Sequence, residues 1–410
     1  MLLVLAVPRP HATLVSSEPA ADAVLAASPA RLRLVFSEPV EVKLSSLVLV
    51  RAGTETRLTV DGDPRDVHAL LARVQSLPAG AYRVVWRVVS ADGHPVSGAY
   101  GFRIGTAMPA EEPVTAPMAV DDTVSVANAA VGPTLWRAPV LPAALRGLAL
   151  AALLATAGLL ALGEWVLPNA AGNAARATPW LAGAALVLLS LHAGAWVANV
   201  SATPGTSAVT GIDVLRASGS GQRELVRLAC ALLALWALAL ARRRGIAACL
   251  ALAAVAVSGV MGHPSAIHPA VAIPAKILHL LAGAVWLGGL LWIVLADRTH
   301  PRYVDGVRRI SALALAAVLV VAGTGVTQMI LFLPTPAAAL HSPYGALSFV
   351  KVAGLLVLVG LGAYHRYALV PRLTPGEPGA AVSLGRSVRG EIVVMLFVIL
   401  VGGLLAYVPP

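Results

Sequence analysis

Apolar and polar positions follow two different patterns along this chain. Up to about residue 105, short β-prone runs alternate with turn signals. The runs are Arg31 to Phe36, Leu44 to Val50, Thr56 to Val60, Ala81 to Val89 and Ala99 to Ile104. Pro29, Asp61-Gly62, Pro78-Ala79-Gly80 and Asp92-Gly93 punctuate them. Short strands at this spacing predict a small all-β sandwich over residues 11–105. Residues 106–138 are rich in Ala, Pro and acidic residues without a sustained period, which predicts a linker. From residue 139 to 410 the pattern is all-α: about eight apolar runs are long enough to cross a bilayer of about 30 Å. They lie near 141–167, 178–200, 223–241, 245–262, 272–296, 307–333, 346–370 and 390–408.

Composition agrees with a polytopic membrane protein. The 410 residues are 58% hydrophobic and only 12% charged, too apolar for a soluble globular chain. The net charge of +10 is concentrated in loops between apolar runs. It therefore reads as topology-setting charge and not as a nucleic-acid surface. Arg242-Arg243-Arg244, the group Arg298, Arg302, Arg308 and Arg309, and the group Arg366, Arg372, Arg386 and Arg389 fall in three alternate loops. The positive-inside rule makes that side cytoplasmic and the β-domain extracytoplasmic. A plasma-membrane protein with an outward-facing β-domain is the expected localisation. Residues 1–10 resemble the tail of a secretory signal, without a charged n-region or an A-x-A site before His11, and are expected to be removed.

The chemistry centres on Ser90-Ala91-Asp92-Gly93-His94-Pro95, which follows the run Ala81 to Val89. In an extended segment, Asp92 and His94 leave the same face. A carboxylate beside an imidazole suits Cu(II). His11 offers a third ligand through its ring, and through its α-amine if cleavage exposes it. In the membrane section, the same topology places His192, His263 and His279 in the outer third of the bundle. His263 and His268 share a short outer loop, and His341 lies in another. Ionisable groups in a membrane usually face an ion path, a cofactor or a partner, although a lone histidine can simply bond a neighbouring helix. Lys276 shares a helix face with His279 and reads as a snorkelling anchor. Gly288-Gly289 after Trp286 marks a site for close helix packing. Lys351 and Glu391 read as anchoring or ion-pair residues. Cys230 and Cys249 read as apolar fillers and not as a disulfide. No nucleotide-binding motif is visible, so ATP is not expected to act here.

These residues carry a family resemblance. The β-domain resembles CopC, a periplasmic copper-binding sandwich of immunoglobulin-like type. The matching residues are His11-Ala12, Ser17-Glu18-Pro19-Ala20, Phe36-Ser37-Glu38-Pro39-Val40, Gly80-Ala81-Tyr82, Trp86 and the run from Ser90 to Gly98. The membrane section is similar to CopD through Gly262-His263, His279 with Trp286 to Gly289, Tyr344-Gly345 with Lys351, and Leu384 to Glu391. The resemblance implies a Cu(II) site made by the amine and ring of His11 with Asp92 and His94. It implies His263 and His279 as membrane ligands for Cu(I) or Cu(II), with His192 and His268 as weaker candidates. A Met-rich Cu(I) site of CopC type has no counterpart, because Met108 and Met118 lie beyond the sandwich. The implied activity is non-enzymatic: copper capture outside, then transport across the plasma membrane, with import the leading direction. A copper chaperone or a reductase is the implied partner besides copper ions and the bilayer. Two readings stay beside it, copper tolerance by sequestration or export, and a haem-binding redox protein using His192 and His279. A histidine brace can also activate oxygen, against which stands Asp92 in a coordination position.

Overall fold

A computed structural model describes residues 12–91, 93, 95–105, 140–167, 172–201, 211–262, 268–333, 335–374 and 378–408. The expected leader (1–10) and linker (106–138), and His11, Asp92, His94 and His263, lie outside these residues. The chain divides into two compact units. One holds the β-domain with residues 198–221, and the other holds residues 135–197 and 222–410.

The first unit is a sandwich of two sheets. Strands β1 (Leu14–Glu18), β3 (Arg31–Phe36), β7 (Asp66–Arg73) and β6 (Val60–Asp63) form one sheet in that order. Strands β2 (Val24–Leu25), β9 (Pro95–Ile104), β8 (Gly80–Val89), β4 (Ser46–Arg51) and β5 (Thr54–Leu58) form the other. Strict alternation fills the space between them. Leu32, Leu34 and Phe36 point inward from β3, and Tyr82, Val84, Trp86 and Val88 from β8. Phe36 meets Trp86 edge-on at 5.1 Å, and Tyr82 stacks on Phe102 at 5.4 Å. The Tyr82 hydroxyl donates to the Pro78 carbonyl at 2.6 Å, so its polar end is satisfied where the ring is buried.

Strands β1, β2 and β7 fall outside the β-prone runs, β6 only begins at the end of one, and β9 differs in its start. Strand β7 is central in its sheet, yet its run Ala69-Leu70-Leu71-Ala72 has the composition of a helix. Pairing with β3 and β6 on both sides overrides that propensity. Strand β9 starts at Pro95, four residues earlier than the β-prone run.

The second unit is helical. Its long helices are α1 (Val140–Ala161), α2 (Gly172–Ser201), α4 (Gly219–Ala239), α5 (Arg244–Val260), α6 (Pro269–Leu295), α7 (Tyr303–Phe332), α9 (Pro343–Tyr364) and α10 (Pro378–Leu405). Short helices α3 (Gly211–Ala217) and α8 (Pro336–His341) stand before α4 and α9. α4 itself begins in the first unit. Among the described residues six helices are long and apolar enough to cross a membrane, so the expected count of about eight is not confirmed. α5 has 17 residues, about 25 Å of helix, short of a hydrocarbon core. α4 carries Arg223, Glu224 and Arg227 in its first half, which lowers its hydropathy below that of a span.

α6 packs against α1, α5, α7 and α10. Its contact with α1 is backbone to backbone, as the Gly288 pair predicts. A Cβ on Gly158 would lie 1.9 Å from the Ala284 carbonyl oxygen, and one on Gly288 would lie 2.4 Å from the Gly158 carbonyl carbon. Small residues give such approach its dispersion energy in a solvent that supplies no hydrophobic drive between helices. Gly288→Val is therefore expected to force α1 and α6 apart. Thermal unfolding of the full chain in detergent checks this, with a lowered midpoint expected and an unchanged one contradicting the contact.

Candidate metal centre

At one end of the sandwich three chain segments meet. Ala12 is fully buried, and Thr13 N–H donates to the Ser37 hydroxyl at 3.0 Å, while Ser37 N–H returns to the Thr13 carbonyl at 2.9 Å. Beyond Ser37, Glu38 is only 3% exposed. Ala91 N–H then donates to the Pro39 carbonyl at 2.9 Å, and Val40 bridges to Ser90. The β8–β9 hairpin closes with Val89 opposite Pro95, which makes residues 90–94 its loop. Gly93 N–H bonds back to the Ser90 carbonyl at 2.8 Å, with Gly93 at φ +93°, a conformation that glycine adopts without strain. The backbone beside position 11 and the backbone around positions 92 and 94 are thus joined through the Ser37–Val40 segment.

The first unit adds a second tie to that loop. The Ser220 hydroxyl donates to the Ala91 carbonyl at 3.1 Å, and Gly219 N–H donates to the Glu41 carboxylate at 2.8 Å. Among the described residues no three His, Cys, Asp or Glu side chains converge as a metal-binding group. His68, the one β-domain histidine that is described, pairs with Asp66 at 3.2 Å on the surface. The His68 backbone N–H is the main cause holding the Asp66 carboxyl below its usual range.

In the helical unit, His279 lines a cavity of about 320 Å³ between α1, α6, α7, α9 and α10. Its polar lining groups are Lys276, His279, Gln328, Tyr344, Ser348 and Lys351, with Trp286, Met329 and Met395 among the apolar ones. No carboxylate lines it. His279 Nδ1 is 3.0 Å from the Thr324 hydroxyl, which is itself 2.6 Å from the Val320 carbonyl. With the hydroxyl donating to that carbonyl, Nδ1–H would donate to the hydroxyl and Nε2 would keep its lone pair. Lys276 does more than snorkel: its ammonium donates to the Met261 carbonyl at 2.6 Å, at the end of α5.

The other histidines are placed differently. His192 is 3% exposed, with Nδ1 3.1 Å from Glu224 and Nε2 3.3 Å from the Tyr407 hydroxyl. Arg227 bonds the same Glu224 oxygen. Both ring nitrogens of His192 are thus engaged by protein groups. His268 is exposed in the left-handed region at the start of α6, where its carbonyl accepts from Val271 and Ala272. Cys230 and Cys249 are free thiols. Two polar sets escaped the sequence pattern, His192–Glu224–Arg227 and a set around Glu391. Glu224 and Arg227 stand three apart on one helix, a spacing that signals a pair. Glu391 was assigned to the inner end of a span, but α10 starts at Pro378 and carries it to mid-helix.

Residues 14–105 match the CopC domain model, and residues 305–405 match Copper resistance protein D, the CopD model. Copper resistance protein C of Escherichia coli is 37% identical over 105 residues, which is 23% of this chain and 81% of that protein. The chain is a CopC–CopD fusion. Copper transport protein CutJ of Bacillus subtilis (strain 168) is similar over most of the fusion: 26% identical over 410 residues, 87% of this chain and 67% of that protein. Among solved structures, CopC from Methylosinus trichosporium OB3b is 31% identical and is covered completely, over 25% of this chain, at a TM-score of 0.23. The crystal structure of E. coli PcoC, titled a methionine-rich copper resistance protein, is 36% identical over 23% of this chain and 98% of that one, at a TM-score of 0.21. The CopC domain here has no methionine between residues 14 and 105.

Breaking the His192 set tests its structural role. Arg227→Ala leaves the Glu224 carboxylate buried without its cation and is expected to cost about 3–5 kcal/mol. Chemical unfolding of the full chain measures this, and a loss below about 1 kcal/mol, the value of an exposed pair, would contradict it.

Proposed function

We propose that this fusion captures Cu(II) at its CopC domain, outside the membrane, and passes copper inward across the plasma membrane through its helical unit. Membership of the CopC–CopD family supports copper handling. The observation that carries the site is the meeting of three segments, at Thr13–Ser37, Pro39–Ala91 and Val40–Ser90. His11, Asp92 and His94 adjoin those contacts in the chain, so the proposed ligands neighbour segments that the fold holds together. Preorganisation of this kind lowers the ordering cost of binding. Two imidazoles, a carboxylate and an amine match the preference of Cu(II) for N and O donors, and the absence of Met and Cys from residues 14–105 removes the soft donors that Cu(I) prefers.

His279 is the proposed receiving ligand in the membrane, through its free Nε2, with His263 at the preceding loop. The positive-inside rule supports the direction, because it puts the capture domain on the entry side for import. Reduction to Cu(I) is assigned to an external reductant, and delivery from the cytoplasmic face to a chaperone. The chain acts as a binding and transport protein without catalysis of its own.

Asp92→Ala and His94→Ala are each expected to weaken Cu(II) binding by the full chain at least about tenfold, roughly 1.4 kcal/mol. Competition titration against a Cu(II) chelator reads this, and unchanged affinity in both variants removes the site. His279→Ala is expected to abolish copper movement into sealed vesicles while leaving the tight Cu(II) site intact. Undiminished movement would leave His279 with a structural role only.

A further inference from the structure

The six candidate spans contain three carboxylates, and two of them, Glu164 and Asp305, lie within a turn of a span's end. Glu391 is the exception. It stands 13 residues from the start of α10 and 14 from its end, about 20 Å from either. It is 1% exposed. The Trp286 indole N–H donates to its Oε1 at 2.9 Å, and His365 Nδ1 lies 2.8 Å from its Oε2. His365 Nε2 is 2.7 Å from the Ser387 hydroxyl. Four side chains from two helices, α6 and α10, and the turn after α9 thus form one buried polar string, and Trp286 at its upper end also lines the cavity that holds His279.

Among the described residues no lysine or arginine pairs with this carboxylate. On α10 itself, Arg386 and Arg389 are exposed. From α6 the group facing the region is Trp286, and after the end of α6 Arg298 packs on Gly385. Lys276 and His279 of α6 and Lys351 of α9 line the cavity above. After α9, Tyr364 lies beside the His365 ring, and Arg366 is held by the Ser311 carbonyl and hydroxyl on α7. The middle turns of α1 carry no titratable group, and Arg146 lies near the opposite end, against Tyr407. The partner that can neutralise Glu391 is therefore a proton, held on its own carboxyl or on His365.

A copper ion in the cavity meets a complementary problem. Two ammonium groups line the cavity and no carboxylate does. The nearest anionic group along α6 is Glu391, behind Trp286. Buried chains of Glu and His within membrane helices typically carry protons in transporters.

We propose that the Glu391–His365 pair under Trp286 is a proton-binding site whose proton is exchanged for copper in the cavity. This rests on the assignment of the cavity to copper. When copper moves past His279 toward Trp286, the pair releases one H⁺ and Glu391 becomes the counter-charge. When copper leaves, the pair binds H⁺ again. No electrons move in this step. The two cations compete for one negative charge, so acidification opposes copper occupancy of the cavity.

Infrared difference spectroscopy of the full chain in liposomes tests this directly, through the C=O stretch of a protonated carboxyl. Acidification is expected to produce an intramembrane carboxyl band that Glu391→Gln abolishes, and Cu(I) is expected to deplete that band at constant pH. Glu391→Asp restores a titrating band and His365→Gln moves its midpoint, outcomes that a purely structural bond to Trp286 would not give. Glu391→Gln retains an acceptor for Trp286, so the fold has a conservative replacement. A band unaffected by Glu391→Gln, or one that copper leaves unchanged in the parent chain, overturns the exchange. His279→Ala separates the two assignments: if it retains the titrating band but no copper effect, the proton site and the copper cavity are both upheld. If the parent chain moves no copper yet its Glu391 band titrates, the copper assignment fails and the proton site alone stands.

Discussion

A polar group inside hydrocarbon must find its partner within the protein, and this constraint organises the helical unit more than any hydrophobic pattern does. Apolar contacts distinguish poorly between one helix face and another when lipid is as apolar as leucine. Helix identity and register are instead marked by the few groups that cannot face lipid alone. His192, Glu224, Arg227 and Tyr407 bind α2 and α4 to the residues after α10. Trp286, Glu391, His365 and Ser387 bind α6, α10 and the turn after α9. His279 leans on Thr324 and joins α6 to α7. Each set costs desolvation and returns specificity, and each sits where helices of distant sequence number meet.

The CopC domain solves the opposite problem. It has water on its outside and must make a core from about 90 residues, so alternation, aromatic pairs and a satisfied Tyr82 do the work. Its loop Ser90–His94 is fastened by backbone bonds to Pro39 and Val40, and residues 218–221 of the same unit bond to Ala91 and Glu41.

Much of this was legible in the sequence, and the exceptions have physical reasons. Strand β3 was found at its observed limits, because Arg31 to Phe36 alternates cleanly. Strand β7 was missed, because its Ala and Leu residues carry no β signal and only pairing on both edges makes them a strand. The helices were legible by apolar length, but among the described residues six of the expected spans, not eight, meet the length and polarity of a span. Arg223, Glu224 and Arg227 make α4 too polar, and α5 is too short. The Gly288 contact was readable because small residues in a span have few other uses. His279 and its cavity could be expected only in outline. A helix pattern gives depth but not azimuth, so Lys351, Met395 and Trp286 could not be assigned to the same space beforehand. Glu391 was placed at a helix end because the apolar run begins there, whereas the helix begins a dozen residues earlier, in a polar stretch.

The cavity lined by His279 and the buried acid beside Trp286 are the elements on which the proposed copper route rests. Cytoplasmic copper measured under copper limitation, in cells with and without this protein, tests that route at its root. The account predicts a rise that depends on the protein and disappears with His279→Ala. A protein-dependent fall, or no change, would contradict it.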